Sequence, residues 1–144
     1  MRGKNSGGDL SKAQDLVMAT VNLIALEEHL AFTALKTGER DFYEIARGVR
    51  KIRIQCLREL IGEPKGELWC SSKHTLSAMM RMFEVASKEE GEKCKFYLDF
   101  AFDLYKLFWL FREVARGQND ELRSSIRHRG DADEIKAGKT EVKA

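Results

Sequence analysis

Cys70 and His74 are the two side chains in this sequence whose joint chemistry is easiest to name. On a helix, an i, i+4 spacing puts both on one face, where a thiolate and an imidazole can reach the same metal ion. Two ligands do not hold a metal, so the expected completion comes from Glu27, Glu28 or His29 earlier in the chain, or from Cys94 later. Zinc is the ion that such a Cys and His donor set would take. The competing reading is a solvated polar face with a half-buried cysteine. A second constellation is charged. At about 100° per helical residue, Glu28 falls within an apolar stripe of Val17, Val21, Ile24, Ala31 and Leu35, and Glu27 falls among Leu16, Thr20, Leu23 and Ala34. Arg53 sits at the centre of another stripe, made by Phe42, Ile45, Val49, Ile52, Cys56 and Leu60. Buried charges are costly unless paired, so the pattern predicts a buried Glu28–Arg53 pair, shared with Arg50. Such a pair either fixes helix register or contributes to a ligand pocket built from Glu28, His29, Arg50, Arg53, Lys73 and His74.

The familiar catalytic templates fail on spacing. A di-iron bundle needs Glu-x-x-His on two helices, and none of His29, His74 or His128 has a glutamate three residues before it. There is no HExxH, no glycine loop to cradle a phosphate and no nucleophile elbow. The expectation is a protein without catalytic machinery. Nucleic acid is also disfavoured: five basic residues lie between Arg47 and Arg58, but Arg53 is expected to point inward and Glu44 and Glu59 flank the run.

The elements that would position these residues are all helices. A single proline, Pro64, and long stretches rich in Leu, Ala, Glu, Lys, Arg and Met favour helix over sheet. Asp9 and Ser11 offer capping chemistry for a first helix over 9–36, stopped at Gly38. A second helix over 40–61 closes at Gly62 with Pro64 beyond it, a third spans 67–90, and Gly91 separates it from a fourth over 92–116, ended by Gly117. Two helical hairpins with short loops predict an all-α, antiparallel, up-down-up-down four-helix bundle over 9–117. Residues 1–8 read as a flexible arm. Residues 118–144 carry six basic and six acidic residues with few large apolar ones, and read as a mobile charged tail.

The fourth helix is the most apolar of the set. It holds eight of the thirteen aromatic residues, leaving Lys95, Asp99, Asp103 and Lys106 as a compact polar strip. So wide an apolar arc serves either the core of a monomer or, in addition, a homodimer or partner-protein interface. The leading expectation is a non-enzymatic bundle that self-associates or docks a partner protein through this helix, with the metal or small-ligand pocket as the alternative. A net charge of +2 commits the chain to no anionic partner. Three cysteines without a CxxC spacing argue for reduced thiols. The uncharged apolar stretch over 16–26 is shorter than the roughly 20 residues of a membrane span, so the sequence predicts no membrane partner and a cytoplasmic location.

Two resemblances add to this reading. The strings Glu27-Glu28-His29-Leu30 with Lys36-Thr37, Glu67-Leu68-Trp69-Cys70 with Lys73-His74, and Met80-Arg81 with Glu84-Val85 resemble an uncharacterised family of short all-helical proteins from archaea. That resemblance implies an archaeal, cytosolic protein and no activity. Arg123 and His128, separated by four residues, are similar to the Arg-x4-6-His motif of the HEPN superfamily of helical bundles. That second resemblance implies RNA binding or cleavage at those two positions and covers six residues.

Overall fold

The computed structural model describes the backbone of residues 6–138 and the side chains of residues 7–121 and 124. Four helices follow one another: α1 (Ser6–Thr37), α2 (Arg40–Ile61), α3 (Leu68–Ala86) and α4 (Gly91–Gly138). The fold is an all-α four-helix bundle made of two antiparallel hairpins, α1 with α2 and α3 with α4. The hairpins meet through α1 against α3 and α2 against α4.

The first turn is set by local chemistry. Gly38 takes φ 73° and its N–H donates to Ala34 O, a left-handed stop that a side chain would strain. Thr37 Oγ1 accepts from the Glu39 N–H across that turn. At the other end of α2, Gly62 has φ 67° and its N–H donates to Arg58 O. A side chain at Gly62 would also run into the Asn119 amide of α4.

The fourth helix does not stop at Gly117; it continues to Gly138. A glycine inside a helix costs about 1 kcal/mol relative to alanine. Here the next two residues offset that cost by tertiary bonds: Gln118 Oε1 accepts from the Lys65 N–H, and Asn119 Nδ2 donates to Ile61 O. About two turns earlier, Arg112 Nε donates to Leu60 O. Arg112 and Asn119 tie α4 to the end of α2, where the final carbonyls lack helical partners, and Gln118 ties it to the loop that follows.

The core gathers at this same end. Ala13, Val17 and Val21 of α1 pack with Leu57, Leu60 and Ile61 of α2, Leu76 and Met79 of α3, and Ala101, Phe108 and Ala115 of α4. Beyond Val21 no residue of α1 is buried. The buried face of α2 is rotated from the expected stripe: Ala46, Val49, Arg53, Leu57 and Leu60 face inward, whereas Ile45 and Ile52 are exposed. By length and composition, Gly7–Thr37 is long and apolar enough to cross a membrane. In the fold it buries Ala13, Val17, Thr20 and Val21 and leaves most of its apolar window uncovered, while Glu27 and Glu28 pair with arginines of α2 and α3.

Candidate functional site

The expected ion pair forms one residue away from where the apolar stripes put it. Arg53, buried, donates from Nε to Glu27 Oε2 at 2.9 Å, and Arg50 Nη1 lies 3.5 Å from Glu27 Oε1. Glu28 instead accepts from Arg81 Nη2 of α3 at 2.6 Å. Adjacent helix residues point about 100° apart, so the two carboxylates serve different neighbours: Glu27 faces α2 and Glu28 faces α3. The Glu28–Arg53 pair is therefore corrected to Glu27–Arg53.

The six expected ligand residues are divided in the same way. Arg50 and Arg53 belong to Glu27, Glu28 belongs to Arg81, His29 and His74 are exposed, and Lys73 is half-buried without an ion-pair partner among the described residues. The proposed metal pair fares no better, since Cys70 and His74 both face solvent on the outer side of α3. Among the described residues, no three His, Cys, Asp or Glu side chains come together. The side chains of Arg123 and His128, which carry the HEPN-like spacing, lie outside those described.

What the fold does assemble is on α4. Three parallel rows run along it, each stepping four and then three residues, the repeat of a helix seam. The first row, Tyr97, Ala101, Leu104, Phe108, Phe111 and Ala115, is buried or half-buried against the bundle. The second begins one residue earlier, about 100° around the helix, and reads Phe96, Phe100, Asp103, Leu107, Leu110 and Val114. It turns outward: Phe96 is 55% exposed, Phe100 43%, Leu110 58% and Val114 46%. The Phe96 and Phe100 rings stack edge to face with centroids 4.5 Å apart, so this part of the row is already organised. Asp103 is held by Lys106 at 2.9 Å, and Lys95 holds Asp99 at 2.6 Å on the adjacent polar strip.

The third row lies on the opposite flank. Its upper part, Leu98, Phe102 and Tyr105, borders a groove of about 430 Å³ to which α1 adds Met18 and Asn22, and α3 adds Met80 and Phe83. Its lower part, Arg112 and Arg116, enters a polar cavity of about 370 Å³ beside Arg58, Glu59 and Asp9. Partial burial and the neighbouring Arg116 lower the pKa of Arg112 from its usual value. Its guanidinium nevertheless finds a helix C-terminus in Leu60 O and the Trp109 ring, 5.3 Å away.

The wide aromatic arc of the fourth helix thus resolves into a covered row and two open flanks. The outer row follows a second four-three repeat offset by one residue from the first, but the spacing does not tell which of the two repeats the bundle covers. The groove had no such signal, because its walls come from three helices. Comparison with protein-family models, with curated proteins and with solved structures finds no match for this chain.

Proposed function

We propose that this protein is a helical interaction module that pairs with a second copy of itself through the outer row of α4. The observation that carries the reading is a seam-spaced row about 27 Å long, with Phe96 and Phe100 exposed at one end, Leu110 and Val114 exposed at the other, and Asp103 and the half-buried Leu107 between them. Isolated exposed apolar residues are ordinary on protein surfaces, whereas several aligned on one helix face and flanked by charge mark an interaction face.

The row also argues for an orientation. Asp103 lies near its middle. In a parallel pair of α4 helices, two Asp103 carboxylates would face each other in the seam, and like charges there are repulsive. In an antiparallel pair, Asp103 meets Phe100 or Leu107 of the other copy and keeps its own Lys106.

Light scattering on the purified full chain tests the proposal. The expected mass is twice the 16.5 kDa of one chain, falling to a single chain in Phe100→Glu and Leu110→Glu with helicity retained. Asp103→Leu removes the polar interruption and should tighten association by about tenfold. A wild-type monomer at all accessible concentrations, or a dimer indifferent to both glutamates, overturns the reading.

A further inference from the structure

The groove on the other flank of α4 is a separate feature and does not depend on self-association. It opens where burial runs out: α1 buries nothing beyond Val21 and α4 nothing before Ala101, and the buried Val21, Met79 and Ala101 form its floor. Its walls rise through Met18 of α1, Met80 and Phe83 of α3, and Phe102 of α4. At about 430 Å³ it falls in the size range of small-molecule sites. Methionines suit such a site, since their unbranched, polarizable chains adapt to an irregular apolar occupant.

The chemistry of the lining narrows the occupant. No charged residue lines the groove, and its two polar groups, the Asn22 amide and the Tyr105 hydroxyl, make no side-chain hydrogen bond among the described residues. Lys106 stands 4.9 Å from the Phe102 ring and is paired with Asp103. An anionic head would find no unpaired cation here. A neutral head would find a donor and acceptor in Asn22 and Tyr105.

We propose that this groove binds an uncharged, mainly alkyl molecule with a single hydrogen-bonding head, its chain between Met18, Met80, Phe83 and Phe102 and its head at Asn22 and Tyr105. The outer row and the groove are about 160° apart around α4, so a dimer formed through the row leaves the groove open.

Calorimetric titration of the full chain with 1-decanol, with decanoate as the charged control, tests the proposal. Decanol is expected to saturate at one molecule per chain and to bind about tenfold more tightly than decanoate. Met18→Trp, a change at the exposed rim, should fill the groove and abolish decanol binding while circular dichroism stays unchanged. Tyr105→Phe should weaken it several-fold, and Leu110→Glu, on the outer row, should leave it intact. Absence of saturable decanol binding overturns the site, as does binding that survives in folded Met18→Trp. Equal affinity for decanoate overturns the uncharged class. Decanol-driven dissociation of a dimer would assign the groove to a second copy and overturn the small-ligand reading.

Discussion

At the end of the bundle where α2 finishes, four helices close on one another; at the end where α1 turns into α2, they do not. The closed end buries Ala13, Leu60, Ile61 and Ala115, and Arg112 and Asn119 take the last carbonyls of α2. At the open end, Phe32 and Leu35 of α1 and Ile45 of α2 stand in solvent, and the hairpins are bridged by the half-exposed Glu28–Arg81 pair. Both ends contain large apolar residues. The difference is that the closed end has a second hairpin to receive them, so the same hydrophobic material yields stability at one end and available surface at the other.

Core truncation should separate the ends most strongly. Phe108 is completely buried and Phe102 is 59% exposed. Phe108→Ala is expected to cost about 3–5 kcal/mol in urea unfolding, and Phe102→Ala less than about 1 kcal/mol. Similar costs for the two would break the comparison.

The ion pairs make a subtler contrast. Glu27→Ala strands the buried Arg53 and should cost about 2–3 kcal/mol, less than a fully enclosed pair because the Glu27 side chain is 20% exposed. Arg81→Ala removes a pair whose partners are 56% and 44% exposed, and should cost less than about 1 kcal/mol. Denaturation midpoints of both variants check the ranking. Replacing Glu27 and Arg53 together with apolar residues should recover much of the loss, since the penalty lies in the unpaired charge.

The two glycine turns sharpen the comparison further. Gly38 at the open end and Gly62 at the closed end share a positive φ, but a Cβ at Gly38 meets nothing within 4 Å and one at Gly62 meets Asn119. Gly38→Ala should cost about 1 kcal/mol from backbone strain alone. Gly62→Ala adds the collision, for a total of about 2 kcal/mol. Thermal melts of Gly62→Ala with and without Asn119→Ala should show the steric share recovered in the double variant.

Much of the fold was legible in local signals. Gly38 and Gly62 marked the ends of α1 and α2, and the second helix over 40–61 coincides with Arg40–Ile61. The extension of α4 beyond Gly117 was not legible, because the bonds from Gln118 and Asn119 go to residues more than fifty positions away. At the candidate surface, the aromatic content of the fourth helix could be read directly. Which aromatics remain uncovered depended on where α3 and α1 lie against it.

The Glu27-Glu28 dipeptide is the clearest case of the division. Sequence alone required that a carboxylate on α1 answer the buried Arg53, because an unpaired charge in an apolar stripe is too costly to leave. The apolar stripes pointed to Glu28, and the structure pairs Arg53 with Glu27, its neighbour 100° around the helix. That choice follows from the packing of α2 on one side of α1 and α3 on the other. Helix type, hairpin turns and the need for the ion pair were therefore properties of the sequence, since each arises from short-range geometry or charge. Partner choice, the groove and the exposed row were decided by tertiary structure, since each depends on the distance between helices that only packing sets.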